Sequence, residues 1–299
     1  MSTRGAPLTY CVSVRSTFGK TDGVSGKVHH MVTLTSPAEG VRIMPAPKPY
    51  TSQPLPLAGV RNTRDLGGFP FVDEQGRSGT TARGVFLRSG SLTRLTLRDR
   101  DELEAYGLVR VVDVRSNFEL RFLPDPYARR PHPGVSYAHI PLMDQLNSNG
   151  FAGLLPESMF ASYRDLLDGD APNVGRVMAA LDVPEGCVLF HCRVGKDRTG
   201  VICMLLLELA GVPRANIVAD YAVTQNYMGG FLRLQRAAVS VALRRRVPRC
   251  LFEADPREME RTIDHLHGRY GGARRYLVKR AGCDPALLDR LAARLRGRA

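Results

Sequence analysis

An α/β fold is what this 299-residue chain predicts: a central, mostly parallel sheet flanked by helices, with a helical C-terminal part. Three observations carry that reading. Residues 109–114 and 188–190 are short, largely apolar runs, as expected of strands buried on both faces. Longer segments with helical spacing lie between and around them. After the helix that follows Phe190, the chain is mainly helical.

The elements follow in order. Residues 1–50 are rich in Thr, Ser, Gly and Pro, show no periodicity, and predict a flexible N-terminal extension. Pro45, Pro47, Pro49, Pro54 and Pro56 mark the passage into one domain over residues 51–299. Thr96 opens a helix with Asp99 three residues on, close to a capping box, and Gly107 follows its end. The 109–114 strand comes next. Helical spacing covers residues 159–167 and 174–181, with Gly169 and Pro172 between them. Pro184-Glu185-Gly186 turns the chain into the 188–190 strand, and an apolar helical run occupies 201–209. Asp255-Pro256 and Asp284-Pro285 are helix starts with proline at the first position. Leu287, Leu288, Leu291 and Leu295 form one apolar face at helical spacing, which is core packing.

Between the 188–190 strand and the 201–209 helix stand His191-Cys192-Arg193-Val194-Gly195-Lys196-Asp197-Arg198-Thr199-Gly200. A cysteine followed six residues later by an arginine, on a Gly-containing turn from strand to helix, has the layout of a phosphate cradle with a nucleophile at its base. Successive N–H groups of such a turn point inward, and the helix adds the positive end of its dipole. The same field favours the thiolate, the reactive form of cysteine.

This decapeptide fills every fixed position of H-C-x-x-G-K-D-R-T-G. The chain thereby resembles the bacterial tyrosine/dual-specificity and phosphoinositide phosphatases of the Cys-based protein tyrosine phosphatase superfamily. Outer blocks extend the resemblance over about residues 55–296. Asn62-Thr63-Arg64-Asp65-Leu66-Gly67-Gly68 is similar to N-F-R-D-L-G-G, with Thr63 in place of Phe. Arg88-Ser89-Gly90, then Asp113-Val114-Arg115-Ser116 with Glu119, match two further blocks. Asp220-Tyr221 with Asn226 resembles D-Y-x-x-S-N at altered spacing, and Tyr270-Gly271-Gly272 fits the closing block.

The resemblance implies a protein-tyrosine-phosphatase-like fold and metal-independent hydrolysis of phosphomonoesters through a cysteinyl-phosphate. Cys192 would attack, and Arg198 would hold two equatorial oxygens with its planar fork. Amides from Arg193 to Arg198 would stabilise the transition state, so Val194, Gly195 and Lys196 count as phosphate-binding residues. Thr199 would donate to the cysteine sulfur. Arg193 departs from the small residue usual there; it suits a polyanionic head group or a solvated rim. The resemblance implies Asp197 as the general acid, with Asp113 and then Asp144 as the competing carboxylates. Asp113 also counts as a substrate-binding residue, its alternative being an ion pair with a loop arginine. Residues 228–250, with Arg233, Arg236, Arg244, Arg245 and Arg246, are expected to form a helical lid.

Substrate class is open as well. A phosphorylated protein leads, a phosphoinositide is the alternative, and a catalytically silent phosphate-binding module is the rival from another class. The intact Cys192, Asp197 and Arg198 speak against that rival. The net charge of +13 suits anionic partners, and +10 of it lies after Gly230. Nucleic acid is not expected: no interleaved aromatic platform or recognisable motif is present, and Trp is absent. Contact with an acidic membrane surface fits the charge better. The six cysteines and seven histidines show no metal-ligand spacing, so neither metal nor cofactor is expected. A catalytic Cys192 must stay reduced, which predicts a cytoplasmic protein. The N-terminus lacks the apolar core of a signal peptide, and the longest apolar run is too short to span a membrane.

Overall fold

The computed structural model describes residues 48–144, 158–242, 244 and 246–298. Its main sheet contains β1 (Arg64–Asp65), β4 (Phe86–Ser89), β5 (Leu108–Asp113), β6 (Ser136–His139) and β7 (Cys187–His191) in the order β1-β4-β7-β5-β6. β4, β7, β5 and β6 run parallel, and β1 pairs antiparallel with β4 at the edge. A separate hairpin joins β2 (Pro70–Val72) to β3 (Ser78–Thr80).

β7 lies in the middle of the sheet, and all five of its residues are buried. That explains its unbroken apolar run: both faces and both edges are covered. Alternation sorts its side chains. Leu189 joins Leu87 and Val111 on one face, against Leu103 of α1 (Leu97–Ala105) and Tyr127 of α3 (Pro126–Arg129). Val188 and Phe190 join Phe86 and Val112 on the other face, in the larger core. There they meet α4 (Met159–Gly169), α5 (Ala171–Leu181), α6 (Asp197–Leu209) and α11 (Pro285–Leu295).

Helix starts follow the sequence closely. Thr96 and Asp99 form a reciprocal capping box on α1, and Gly107 turns the chain with φ 86°. A second box, Ser116 with Glu119, opens α2 (Asn117–Phe122). Asp255 and Asp284 cap α9 (Pro256–His265) and α11, each with Pro at the first position. Leu287, Leu288, Leu291 and Leu295 are buried, as the helical spacing required. Between α6 and α9 come α7 (Arg214–Ala222) and α8 (Thr224–Ala242); α10 (Ala273–Lys279) precedes α11.

The basic stretch expected over 228–250 begins four residues earlier than its apolar pattern suggested. It consists of α8 and a 3-10 turn, Arg249–Phe252; Arg245 lies outside the described residues. Most of the expected extension, residues 1–50, lies outside them too. Tyr50, at its end, belongs to the folded part: its N–H donates to Asn216 Oδ1 at 3.0 Å and its ring meets Phe69 edge-on. No helix among the described residues is long and apolar enough to cross a membrane.

Candidate active site

Sheet register brings the site together. Ser89 at the end of β4 and Asp113 at the end of β5 both lie opposite His191, the last residue of β7. Three strand ends therefore meet one residue before Cys192, at the carboxyl edge where parallel sheets place their ligands. The chain then turns over residues 192–196 and enters α6 at Asp197. Gly195 makes the turn feasible. Its φ is 72°, and a Cβ there would stand 2.4 Å from the Ser89 carbonyl oxygen.

Cys192 sits at the base of this turn, 2% exposed, with its sulfur accepting the Gly195 N–H at 3.3 Å. Arg198, on the first turn of α6, is held by Glu119: Nη1 donates to Oε2 at 2.6 Å and Nη2 to Oε1 at 3.0 Å. Nη1 also donates to the Val114 carbonyl at 3.5 Å. A guanidinium carries five N–H donors, so this pattern leaves the Nε–H and one Nη2–H, the edge that grips an oxyanion with two bonds. Burial would raise the Glu119 carboxyl, yet the hydrogen bonds and charge of Arg198, then Ser116, hold it down to about 2. The same ion pair outweighs burial at Arg198 and raises its guanidinium.

Two buried networks carry the turn. On the β4 side, Arg64 and Arg88 are fully buried on either side of Asp220. Arg88 Nη2 donates to the Gly195 carbonyl at 2.7 Å, and Asn62 Nδ2 donates to the carbonyls of Val194 and Gly195 at 3.0 and 3.1 Å. On the β5 side, Asp113 accepts from Arg115 at 2.6 Å and from the Tyr137 hydroxyl at 3.0 Å. His191 Nε2 lies 3.2 Å from Asp125 Oδ2 and 3.9 Å from Asp113 Oδ2. Burial alone would lower the His191 imidazole, but Asp113 and Asp125 outweigh it and raise it. Asp113, Asp125 and His191 are grouped closely enough to suggest metal ligation. Arg115 stands between the two carboxylates, 2.6 Å from Asp113 and 3.6 Å from Asp125, so a cation already fills that role.

Two of the expected substrate-binding residues have their side chains engaged elsewhere. Asp113 is 0% exposed and paired with Arg115, which burial on a β-strand end enforces. Lys196 is 1% exposed; its Nζ donates to the carbonyls of Leu251 and Glu253 at 3.1 and 3.0 Å and lies 3.2 Å from Asp197 Oδ1. It fastens the turn to the Arg249–Phe252 segment. Asp144 accepts from the Asn117 backbone and side-chain amides at 2.7 Å, tying down the start of α2. Among the three candidate acids, Asp197 is the one within the turn and partly exposed. Tyr163 donates to its Oδ1 at 2.5 Å, while Oδ2 makes no hydrogen bond among the described residues. Tyr163 in turn meets the Tyr221 hydroxyl at 2.7 Å; burial, then the Asp197 charge, pushes its phenol well above the usual range. Arg193 is exposed, Val194 packs against the cluster under α8, and the buried Thr199 hydroxyl has no partner among the described residues.

A family model described as "Tyrosine phosphatase family" matches residues 55–297. The chain belongs to the tyrosine phosphatase family. A tyrosine-protein phosphatase of Nostoc commune is 33% identical to it over 220 residues, 71% of this chain and 74% of that protein. The triple specificity protein phosphatase PtpB of Mycobacterium tuberculosis is 30% identical over 183 residues, 52% of this chain and 66% of that protein. The sheet, the flanking helices and the helical C-terminal part are those expected of a tyrosine phosphatase. Sequence reasoning placed the turn of this tyrosine phosphatase but gave no role to Glu119, Arg88, Asn62 or Tyr163. Glu119 had a signal: Ser116-x-x-Glu119 reads as a capping box, and the same carboxylate clamps Arg198 from 79 residues away.

Proposed function

We propose that this protein-tyrosine phosphatase hydrolyses phosphotyrosine through a cysteinyl-phosphate on Cys192. The observation that carries the reading is the pairing of Cys192, at the base of the turn, with an Arg198 whose free edge is left by the Glu119 clamp. A phosphate dianion would lie between that edge and the inward N–H groups of residues 193–198. The Cys192 sulfur would displace the phenolate oxygen in line, and Asp197 Oδ2 would give that oxygen its proton. Water then attacks phosphorus and gives a proton to the Asp197 carboxylate, the S–P bond breaks, and the thiolate returns; Thr199, whose buried hydroxyl has no partner among the described residues, would donate to that thiolate. Arg64 and Arg88 against Asp220 leave one surplus positive charge beneath the turn, which favours a thiolate and a bound dianion.

Hydrolysis of an aryl phosphate in EDTA, inhibited by vanadate and lost in Cys192→Ser, is the expected result. Full activity in Cys192→Ser would refute the mechanism. Asp197→Asn should slow alkyl phosphates far more than aryl phosphates with good leaving groups; equal slowing would remove Asp197 from the acid role. The name of the Mycobacterium relative, triple specificity, supports a range wider than phosphotyrosine; the candidates are phosphoserine, phosphothreonine or a phosphoinositide. The exposed Arg193 beside the nucleophile fits the last of these. Residues 228–250 adjoin the turn through Val194, as a lid would. A reducing cytoplasm suits the catalytic thiol, and the basic region after Gly230 suits contact with an acidic membrane.

A further inference from the structure

Behind the turn lies a second cationic feature that the reaction does not use. α8 and residues 246–255 enclose an open groove of about 1130 Å³. Arg233, Arg236, Arg246 and Arg249 line it, with Val247 and Phe252 among its apolar residues. No residue of the 192–199 turn contributes to it. Its acidic groups are already engaged: Glu253 pairs with Arg249 at 2.9 Å, and Asp255 with Arg257 at 2.6 Å. Arg233, Arg236 and Arg246 make no ion pair among the described residues. Three uncompensated guanidinium groups around a concave apolar surface repel one another unless an anion joins them.

The groove is also mechanically joined to the catalytic turn. Lys196 Nζ donates to the carbonyls of Leu251 and Glu253, the second of which lines the groove, and lies 3.2 Å from Asp197. Gln225, on the α8 wall, accepts the Ala254 N–H at 2.9 Å and closes the two walls together.

We propose that this groove binds an acidic segment of the phosphoprotein substrate, outside the phosphotyrosine itself. The inference rests on the protein-tyrosine phosphatase reading. Its support is charge complementarity joined to shape. The volume exceeds the roughly 300–1,000 Å³ of ordinary small-molecule sites and suits several residues of extended chain. The apolar lining takes side chains between carboxylates, whereas a membrane surface would need a convex or flat face.

The test compares two phosphotyrosine peptides, one flanked by Asp and Glu, one by Ser and Gly, on wild type and on Arg233→Gln/Arg236→Gln/Arg246→Gln. The acidic peptide should lose roughly ten-fold in kcat/KM, through KM, as three weakened ion pairs imply. The neutral peptide and an aryl phosphate should change less than about two-fold, since no ion pair to them is removed. Equal losses on both peptides, or none on either, overturn the proposal. A second arm measures fluorescence anisotropy of an acidic peptide lacking phosphate on the Cys192→Ser protein. Binding that the triple substitution weakens supports the groove even if no phosphatase activity is found; absence of binding overturns it. Cosedimentation with vesicles containing a phosphoinositide separates the lipid source: loss of vesicle binding with peptide preference intact overturns the proposal.

Discussion

The two buried networks beneath the catalytic turn do similar work with opposite charge arithmetic. On the β4 side, two arginines share one aspartate, and the surplus is positive and permanent. On the β5 side, two aspartates face one arginine and a histidine, so the balance depends on a proton. The first reaches the turn at the Gly195 carbonyl, the second at His191, the residue before Cys192. The positive charge that serves an anion is thus built from groups that do not titrate near neutrality. The shape of the strand end is left to groups that can.

The largest expected effect breaks the β4 side. Asp220→Ala leaves Arg64 and Arg88 buried without an anion and should cost about 3–5 kcal/mol in urea unfolding. Replacing all three with apolar residues of similar volume should recover most of that loss. Failure to recover would mean that the network contributes more than mutual compensation. Asp113→Asn on the β5 side should cost less, about 1–3 kcal/mol, because Arg115 retains Asp125. Losses of equal size would erase the distinction between the two sides.

A pH titration of stability sharpens it further. His191 is raised in the folded state, so its contribution is complete below the ordinary histidine value and is lost as pH climbs through the raised one. Stability should therefore fall on the alkaline side by at most about 1.4 kcal/mol per pH unit, and His191→Gln should flatten that limb. An alkaline limb unchanged in the variant would acquit the β5 side. On the acid side the two networks behave alike. Burial pushes the Asp220 carboxyl up, but Arg88 and Arg64 pull it below its usual range, so its contribution is lost as pH falls through the lowered value. On the β5 side, burial pushes the Asp113 carboxyl up, but His191 and Arg115 pull it below its usual range, so it acts in the same direction; Glu119, outside both networks and held at about 2, does so too, full above the ordinary 4.5 and fading toward 2. The smallest effect is the control, Arg274→Ala, whose surface pair with Asp289 should be worth under about 1 kcal/mol.

What the sequence disclosed and what it withheld divide along the same lines. Local chemistry was legible. Thr96 with Asp99, Asp255-Pro256 and Asp284-Pro285 start helices where written, because capping is decided within four residues. The turn from Cys192 to Thr199 was legible as a contiguous motif. The separation of Asp113, Asp144 and Asp197 was not, since each follows an apolar run or a turn and looks alike in one dimension. Strand register decides it: Asp113 faces His191 inside the sheet. The destination of the Lys196 side chain was not legible for a related reason, since its partners lie 55 and 57 residues onward.

One feature ties these levels together. The carboxylate of Glu119 accepts the Ser116 amide at 2.9 Å, which starts α2, and with its other bonds fixes the Arg198 guanidinium. A single side chain therefore makes local order and chemical competence one event. On the proposed mechanism, a chain in which α2 has frayed is also a chain whose Arg198 has lost its aim, so partly unfolded molecules would be silent rather than unselective. Inactivity becomes the default of an imperfect fold, enforced without any separate inhibitor.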